Sequence, residues 1–463
     1  MNPSCHLYPL LKKSEIERFL RSALHILSEM GMEVCHRGLL ERLANANLQV
    51  DFSNQRVRFP TLWVESWMAG ATKFDWENAC PTVSASSGIY YSKVHDPQSG
   101  ELVSWTENYL ANYIALAKSL PNVGSAVLLG SRLTEFQANE PLYERYYAWK
   151  WGAIEGGSIL LEELCQPLYE IYEVAAQYKD IPIEKLFQAT VYLIPALKLG
   201  RHEAWQINFF LERGLKVHIG GSMLTMGANA PVTLAGSVTL NLAEQLALRI
   251  LDYILFDHNH LFIGASIAPL DMRTIIRPFG RPEMIIANLM TAQIARYIGA
   301  AFSGHAGLTD AKLPSTEAGA QKALSALPTL LAGGNLWMDA GLLAIDEVCS
   351  PIQMVLDNEF LSVLKHFTHD YEVDDDAIGL EMILQAGPGG NYVAEHHTAQ
   401  RFRGELWQPT IWSREMLAPW VARGARLDVD KAREIALSIQ PGSPEISSEF
   451  EKDILHVIAK FSG

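Results

Sequence analysis

The sequence predicts an α/β fold, a TIM (β/α)8 barrel carrying a small N-terminal α+β cap. Three observations predict it. After Leu120, short apolar runs recur every 25–45 residues or so, as βα units require. The runs do not alternate with polar residues, as expected of parallel strands buried on both faces. Between them lie longer stretches with helical periodicity, and 49% of the 463 residues are hydrophobic against 19% charged, enough for one large core. A doubly wound sheet is the alternative.

The elements follow in order. Ser14 and Glu17 form an S-x-x-E capping box for a first helix, whose apolar face carries Ile16, Leu20, Ala23 and Leu27 and which stops at Gly31. VDFSNQRVRF then reads as a hairpin matching Val50 and Phe52 with Val57 and Phe59. IYYSKVHDPQSGELVSW reads as a second, turning at Asp96, Pro97 and Gly100. Residues 1–120 are therefore expected to be the cap, and 121–463 the barrel with a C-terminal helical extension. Expected strands are 125–130, 158–164, 189–194, 216–221, 261–266, 300–304 and 335–340, with an eighth at 382–387 or in the early region. Expected helices cover 141–151, 167–178, 232–255, 283–298 and 316–331. In a barrel the chemistry sits where strands end. Those ends are Ser131 and Arg132, Glu162 and Glu163, Pro195, Ser222 and Met223, Ser266, His305, and Trp337 with Asp339.

Composition removes several function classes. Acidic residues exceed basic ones by 15, which argues against nucleic acid or an anionic membrane as the main partner. Five scattered cysteines without a CxxC motif argue against a disulfide framework, and no secretory leader is read at the start, so the cytosol is the expected compartment. The stretch Val217 to Ala243 lacks charged residues but is broken by Gly, Asn and Pro, so it reads as buried core and not a membrane span. P-loop, dinucleotide, GxSxG and HExxH patterns are missing. The Asp257-His258-Asn259-His260 cluster falls before a strand, on the side of a barrel without chemistry, and reads as a loop. His396 and His397 follow a Gly387-Pro388-Gly389-Gly390 turn that reads first as structural. No metal is expected at either place. A metal-dependent barrel hydrolase on these histidines is the competing enzyme class, and a binding protein without catalysis is the non-enzymatic one.

Four long motifs, GGSMLTMGANAPVTLAGSVTLNLAEQLAL (220–248), DMRTIIRPFGRPE (271–283), GHAGLTDAKLPSTEAGAQKAL (304–324) and GPGGNYVAEHHTAQRFRGELWQP (387–409), together resemble the trimethylamine methyltransferase family. The resemblance runs over nearly the whole chain. It implies a TIM barrel that moves a methyl group from a methylamine to the cobalt of a corrinoid protein. The chain has only standard residues, so it resembles the branch without pyrrolysine, whose members demethylate quaternary amines. Glycine betaine is the substrate expected first, with proline betaine, carnitine or a choline-like amine as alternatives. The pieces SILLEELCQP and VYLIPALKLG depart from the family pattern and leave the pocket less defined than the fold. On this reading His305 and Asp310 are the catalytic candidates, with His305 acting by orientation or electrostatics and not as an obligatory proton donor. Trp337, Asp339, Arg132, Met223, Ser266, Tyr392 and His397 are the substrate-binding candidates, with Trp337 as an aromatic wall for the ammonium. Gly389, Gly390, Asn391 and His396 are the candidates for contact with a cobalamin ring carried by the partner. A homo-oligomer is expected.

Overall fold

The structure is a computed structural model that describes residues 10–78, 82–90, 93–129, 139–159, 161–369 and 371–461. Its centre is a set of eight short strands, here β1 (Val83–Ile89), β2 (Ala126–Leu128), β3 (Ile154–Glu155), β4 (Thr190–Tyr192), β5 (His218–Gly220), β6 (Phe262–Ala265), β7 (Ala301–His305) and β8 (Asn335–Asp339). Six form one all-parallel sheet in the order β6-β7-β8-β1-β2-β3, and β4 pairs with β5, also parallel. The Thr190 amide donates to the Gly157 carbonyl at 2.8 Å and links β3 to β4. Pairing of the last strand with the first, Leu336 to Val83 through Asp339 to Ser86, is the cyclic juxtaposition that a doubly wound sheet lacks.

Between β5 and β6 the pairing is displaced towards the carboxyl ends, where the following segments Leu224–Met226 and Ile267–Pro269 form a parallel ladder. Among the described residues no ladder joins β5 to β6. Between the two strands proper, side chains from one buried helix, Leu234–Phe256, bridge the gap. Gln245 Oε1 accepts from the Gly264 amide at 3.0 Å, and Asn241 Nδ2 donates to the Gly264 carbonyl at 2.9 Å. Arg249 Nη2 donates to the Ile219 carbonyl on β5, and its guanidinium lies 5.7 Å from the Phe262 ring on β6. A side chain at Gly221 would sit 2.3 Å from Gln245 Nε2, so the absence of a Cβ there makes room for the bridge.

One face of each strand packs on helices. Ile89, Leu128, Leu336 and Met338 share a core with the Glu107–Ser119 and Pro351–Phe367 helices, and Val191, Ile219, Ile263 and Phe302 share another with Leu234–Phe256 and Pro282–Ile298. Period-two alternation leaves Ser84, Ser86, Gly88, Tyr192, Gly264 and Ser303 on the opposite face. The inner face is therefore polar and small.

Four expectations are corrected. The division at residue 120 cuts through the sheet, because β1 lies before it between β8 and β2. The early region also supplies the eighth strand, and 380–386 is helical. Both early hairpins form, Gln49–Asp51 with Arg56–Arg58 and Lys93–His95 with Leu102–Val103. The first hairpin's sheet, however, also takes up Lys198–Leu199, and the first helix shares its core with the Leu234–Phe256 helix, so the N-terminal residues are built into the body. The described residues of 158–164 form no strand. β3 is the preceding Ile154–Glu155, and Ile159 and Leu164 fill the core from a loop and a 3-10 turn. The first helix starts at Lys13, where the Glu15 carboxylate, and not Ser14 with Glu17, accepts the Lys12 amide at 2.7 Å. Among the described residues no helix is long and apolar enough to cross a membrane.

Behind the end of β8, the fully buried Lys322 donates to Asp357 at 2.6 Å, and the same carboxylate oxygen accepts the Gly341 amide at 2.8 Å. Removing one member of such a pair strands a buried charge. Lys322→Met is expected to cost about 3–5 kcal/mol in urea unfolding, and Lys322→Met with Asp357→Leu to recover most of it. Equal loss in the single and double variants would show that the pair is not what holds this corner.

Candidate active site

The carboxyl ends of the strands are shaped by polar side chains reaching in from the helices. In the Glu140–Trp151 helix the adjacent, fully buried Glu144 and Arg145 pair at 3.1 Å. The Glu144 carboxylate accepts the Gly156 and Gly157 amides and the Ser158 hydroxyl, and Arg145 donates to the Ser158 and Gln188 carbonyls. Burial pushes the Glu144 carboxyl up, while Arg145 and the donated hydrogen bonds oppose it. On the Leu234–Phe256 helix the buried Glu244 accepts the Ser222 amide at 2.8 Å, the Ser222 hydroxyl at 2.6 Å and the Leu197 amide at 3.0 Å. One carboxylate thus sets the loops after β4 and β5. Asn288 Nδ2 holds the His305 carbonyl at 3.0 Å.

His305 ends β7 and lines, with Ser222, Gly264, Ser266 and Ser303, a cavity of about 240 Å³. Its ring meets Phe279 edge-on with centroids 5.8 Å apart. Burial first, and then the nearby Arg277 guanidinium, lower its pKa from 6.5 to about 4. The neutral ring is therefore the folded form. Its contribution to stability is complete above about pH 6.5 and is lost as pH falls from there through about 4.

Arg277 is the cation of this corner. Its Nη2 donates to both the carbonyl and the hydroxyl of Ser266, each at 3.1 Å, and its guanidinium lies 5.4 Å from the Phe279 ring. Nε and Nη1 are buried with no hydrogen-bond partner, and among the described residues no carboxylate lies within 4 Å. Burial lowers its pKa to about 10, with Asp346 opposing. Asp346 is pushed up to about 6 by burial, against Lys322 and Arg277.

On the neighbouring strand ends the charge is reversed. Asp339 ends β8 and is 4% exposed. Tyr90, just past β1, is raised well above its usual value by burial and then by Asp339 and Asp346. Tyr192 at the end of β4 is likewise raised, by burial first and then by Glu144 and Asp339. The mouth therefore has a cationic side, Arg277 with neutral His305, and an anionic, phenolic side, Asp339 with Tyr90 and Tyr192.

The expected residues divide accordingly. His305, Ser266 and Asp339 lie at the strand ends, and Trp337 pairs through its backbone with His305 and with Ser84. Met223 follows β5 and is 53% exposed. Arg132 lies outside the described residues. Asp310 is corrected: it makes no ion pair with Lys312, which donates to its carbonyl. Its carboxylate accepts the Phe279 and Gly280 amides at 2.6 and 2.9 Å, so it positions the loop that carries Arg277. The loop 387–398 is not brought to these strand ends by the contacts it makes. His397 Nε2 meets the Asp376 carbonyl, Asn391 bonds the Val393 amide, the Tyr392 carbonyl takes the Thr398 hydroxyl and Gly390 lies on Ala386. Gly389 and His396 are exposed. Arg277, Tyr90 and Tyr192 were missed, although Arg277 stands in the RPFG step of a recognised motif.

A second cavity, about 670 Å³, is lined by Lys73, Lys216, His218, Arg249, Asp252, His258 and His260. It lies where β5, β6 and β7 begin, the end of a parallel α/β array opposite its chemistry. Among the described residues no group of three His, Cys, Asp or Glu could hold a metal ion.

Residues 197–460 match the model of the family described as trimethylamine methyltransferase (MTTB). The chain is 24% identical over 434 residues to a trimethylamine methyltransferase MttB of Desulfitobacterium hafniense (strain DSM 10664 / DCB-2), covering 90% of this chain and 86% of the relative. It is 25% identical over 427 residues to a glycine betaine methyltransferase of Desulfitobacterium hafniense (strain Y51), covering 89% and 88%. The crystal structure of the Methanosarcina barkeri monomethylamine methyltransferase aligns over 98% of this chain and 87% of that one, with a TM-score of 0.46 and 10% identity. The family match spans more than half of the chain, and the protein belongs to the trimethylamine methyltransferase (MTTB) family.

Proposed function

We propose that the protein moves a methyl group from glycine betaine to the Co(I) of a corrinoid protein, on a (β/α)8 barrel whose mouth is the β1–β8 carboxyl end. The observation that carries the substrate choice is Arg277, a buried guanidinium with two unpartnered nitrogens beside the cavity. A betaine is a zwitterion, and the two sides of the mouth match it. Arg277 and Ser266 hold the carboxylate, while Asp339, Tyr90 and Tyr192 face the trimethylammonium end, which has no N–H to donate and is attracted by carboxylate charge and ring faces. Trimethylamine offers nothing for Arg277 to bind.

A Co(I) acceptor supplies the nucleophile, and the chain's own task is to align the methyl carbon with it. The leaving nitrogen departs as a neutral tertiary amine, so the transfer needs no proton. His305 suits that requirement, because a ring with a pKa of about 4 carries no proton to give at neutral pH. Its role is to line the cavity beside Arg277. The carboxylate grip is the same before and after transfer, whereas attraction to the ammonium fades as its charge is lost. The anionic side therefore favours bound substrate over the transition state, and an incomplete cation cage suits turnover.

The test is a panel of glycine betaine, choline, dimethylglycine and trimethylamine with Co(I) cobalamin, following methylcobalamin formation. Arg277→Met is expected to raise the KM for glycine betaine about 10–100-fold, the range of one or two lost charge-assisted hydrogen bonds, and to leave choline turnover unchanged. Preference for trimethylamine, or equal effects on both substrates, would overturn the betaine reading. In a proton NMR titration the His305 ring is expected to titrate near 4 and to move upward in Arg277→Met, since a repelling charge is removed. An unchanged pKa would mean that Arg277 does not act on this ring.

A further inference from the structure

The 670 Å³ cavity where β5, β6 and β7 begin takes no part in the reaction proposed above, and its charge runs against that of the chain. The sequence holds 15 more acidic than basic residues. Yet among the described residues this recess is lined by three fixed cations, Lys73, Lys216 and Arg249, and by one carboxylate, Asp252. Lys73 Nζ donates to the Ile298 carbonyl at 2.9 Å and Lys216 Nζ to the Phe256 carbonyl at 3.2 Å. An ammonium has three hydrogens to give, and among the described residues neither lysine pairs with a carboxylate, so both keep donors for a ligand. Arg249 is 8% exposed and pairs with Asp252 at 2.7 Å, while its Nε is buried with no hydrogen-bond partner.

Imidazoles complete the ring of charge. His258 Nε2 lies 3.3 Å from Lys216 Nζ. An ammonium only donates, so this nitrogen accepts and the ring proton sits on Nδ1. Burial, then Lys216, His260 and Arg249, lower the His258 pKa, and burial, then Arg249 and His258, lower that of His218. Positive charge is thus crowded here, the condition that a bound anion relieves. The wall is fixed by backbone. The Thr72 amide donates to the Asn259 carbonyl at 3.0 Å, the Leu261 amide to the Thr72 carbonyl at 3.2 Å and the Phe74 amide to the Gly299 carbonyl at 2.9 Å. These bonds set Lys73 and Phe74 against the starts of β6 and β7, with Val217, Leu261 and Phe262 as further apolar lining.

We propose that this recess binds a small organic phosphate monoester, with its phosphoryl group on Lys73, Lys216 and the imidazoles and its organic part on Phe74 and Phe262. The volume is that of a small-molecule site. Three fixed cations against one carboxylate leave an excess that a dianion neutralises, and a phosphate monoester is close to a dianion at neutral pH. A carboxylic acid brings half of that charge, and inorganic phosphate leaves the apolar walls in water. Arg249 acts from behind the wall as fixed positive charge, since its Nε is buried.

The experiment is isothermal titration of the full-length chain at neutral pH and low salt, with phenyl phosphate, inorganic phosphate and phenol as probes. Phenyl phosphate is expected to bind at one site, about tenfold tighter than inorganic phosphate, and phenol to give no heat. Lys73→Met and Lys216→Met are each expected to weaken binding about tenfold, the effect of one charge-assisted hydrogen bond. Lys73→Arg keeps the charge and is expected to keep the affinity. Both lysines are exposed, so all three variants are expected to melt as the wild type does. Arg277→Met, at the opposite end of the strands, is expected to leave phenyl phosphate binding unchanged. No heat from phenyl phosphate at millimolar concentration, an affinity equal to that of inorganic phosphate, or a loss in Arg277→Met that the lysine variants do not share overturns the proposal.

Discussion

Parallel strands that fan into loops at their carboxyl ends leave backbone groups that no neighbouring strand can satisfy, and the mouth of this protein depends on how those groups are met. The answer recurs at each corner. Glu144 takes two amides after β3, Glu244 one after β4 and one after β5, Gln245 and Asn241 the two sides of Gly264, Asn288 the carbonyl of His305, and Asp357 the amide of Gly341. All are buried and all come from helices. The loops around the cavity are consequently set by a second layer of side chains reaching in from the helices, of which Gln245 also lines the cavity. A buried carboxylate is tolerable there because it collects several donors at once, which offsets its desolvation.

This second layer leaves the first free to be chemically unusual. The strands' inner faces carry serines, glycines and tyrosines in place of the branched apolar residues that fill a closed barrel. The charged groups Arg277 and Asp339 stand at the strand ends. Because Arg277 is supplied on a loop pinned by Asp310, it needs no acidic partner for its position. Its charge remains available and acts on His305, whose ring it keeps neutral together with burial. A ring beside a guanidinium would repel it if protonated, so the two residues can occupy one corner only in this state.

Much of the fold was legible because buried parallel strands advertise themselves. Six of the seven strands expected after Leu120 stand where the apolar runs placed them, and the helices between them lie within a few residues of expectation. β1 was not legible, since VSASSGI reads as loop when its inner face lines a polar space. The run SILLEEL misled for the converse reason: it is apolar because a loop there plugs the core, while the strand is two residues of ordinary sequence before it. Strand-end logic predicted His305, Ser266 and Asp339 at the carboxyl ends of strands, and they stand there. It could not find Arg277, which sits eleven residues beyond Ser266 in sequence and returns to it only through the folded loop. The aromatics of the Glu140–Trp151 helix pack, while Glu144 and Arg145 between them hold the loop after β3. Periodicity registers faces and is silent on a charged pair that points inward.

The chain segments around β5 and β6 are fastened to each other at two levels. The strands themselves share no ladder, and Gln245, Asn241 and Arg249 of a single helix span the space between them. Beyond their carboxyl ends the backbone comes together again as a parallel ladder, Leu224–Met226 with Ile267–Pro269. The junction is thus closed by backbone beside the 240 Å³ cavity and by side chains towards the 670 Å³ one, with His218, Arg249 and Phe262 lining both. Rotamer changes in the helix side chains would alter the passage between the two cavities, while the ladder keeps the loops that carry Ser222 and Ser266 in register.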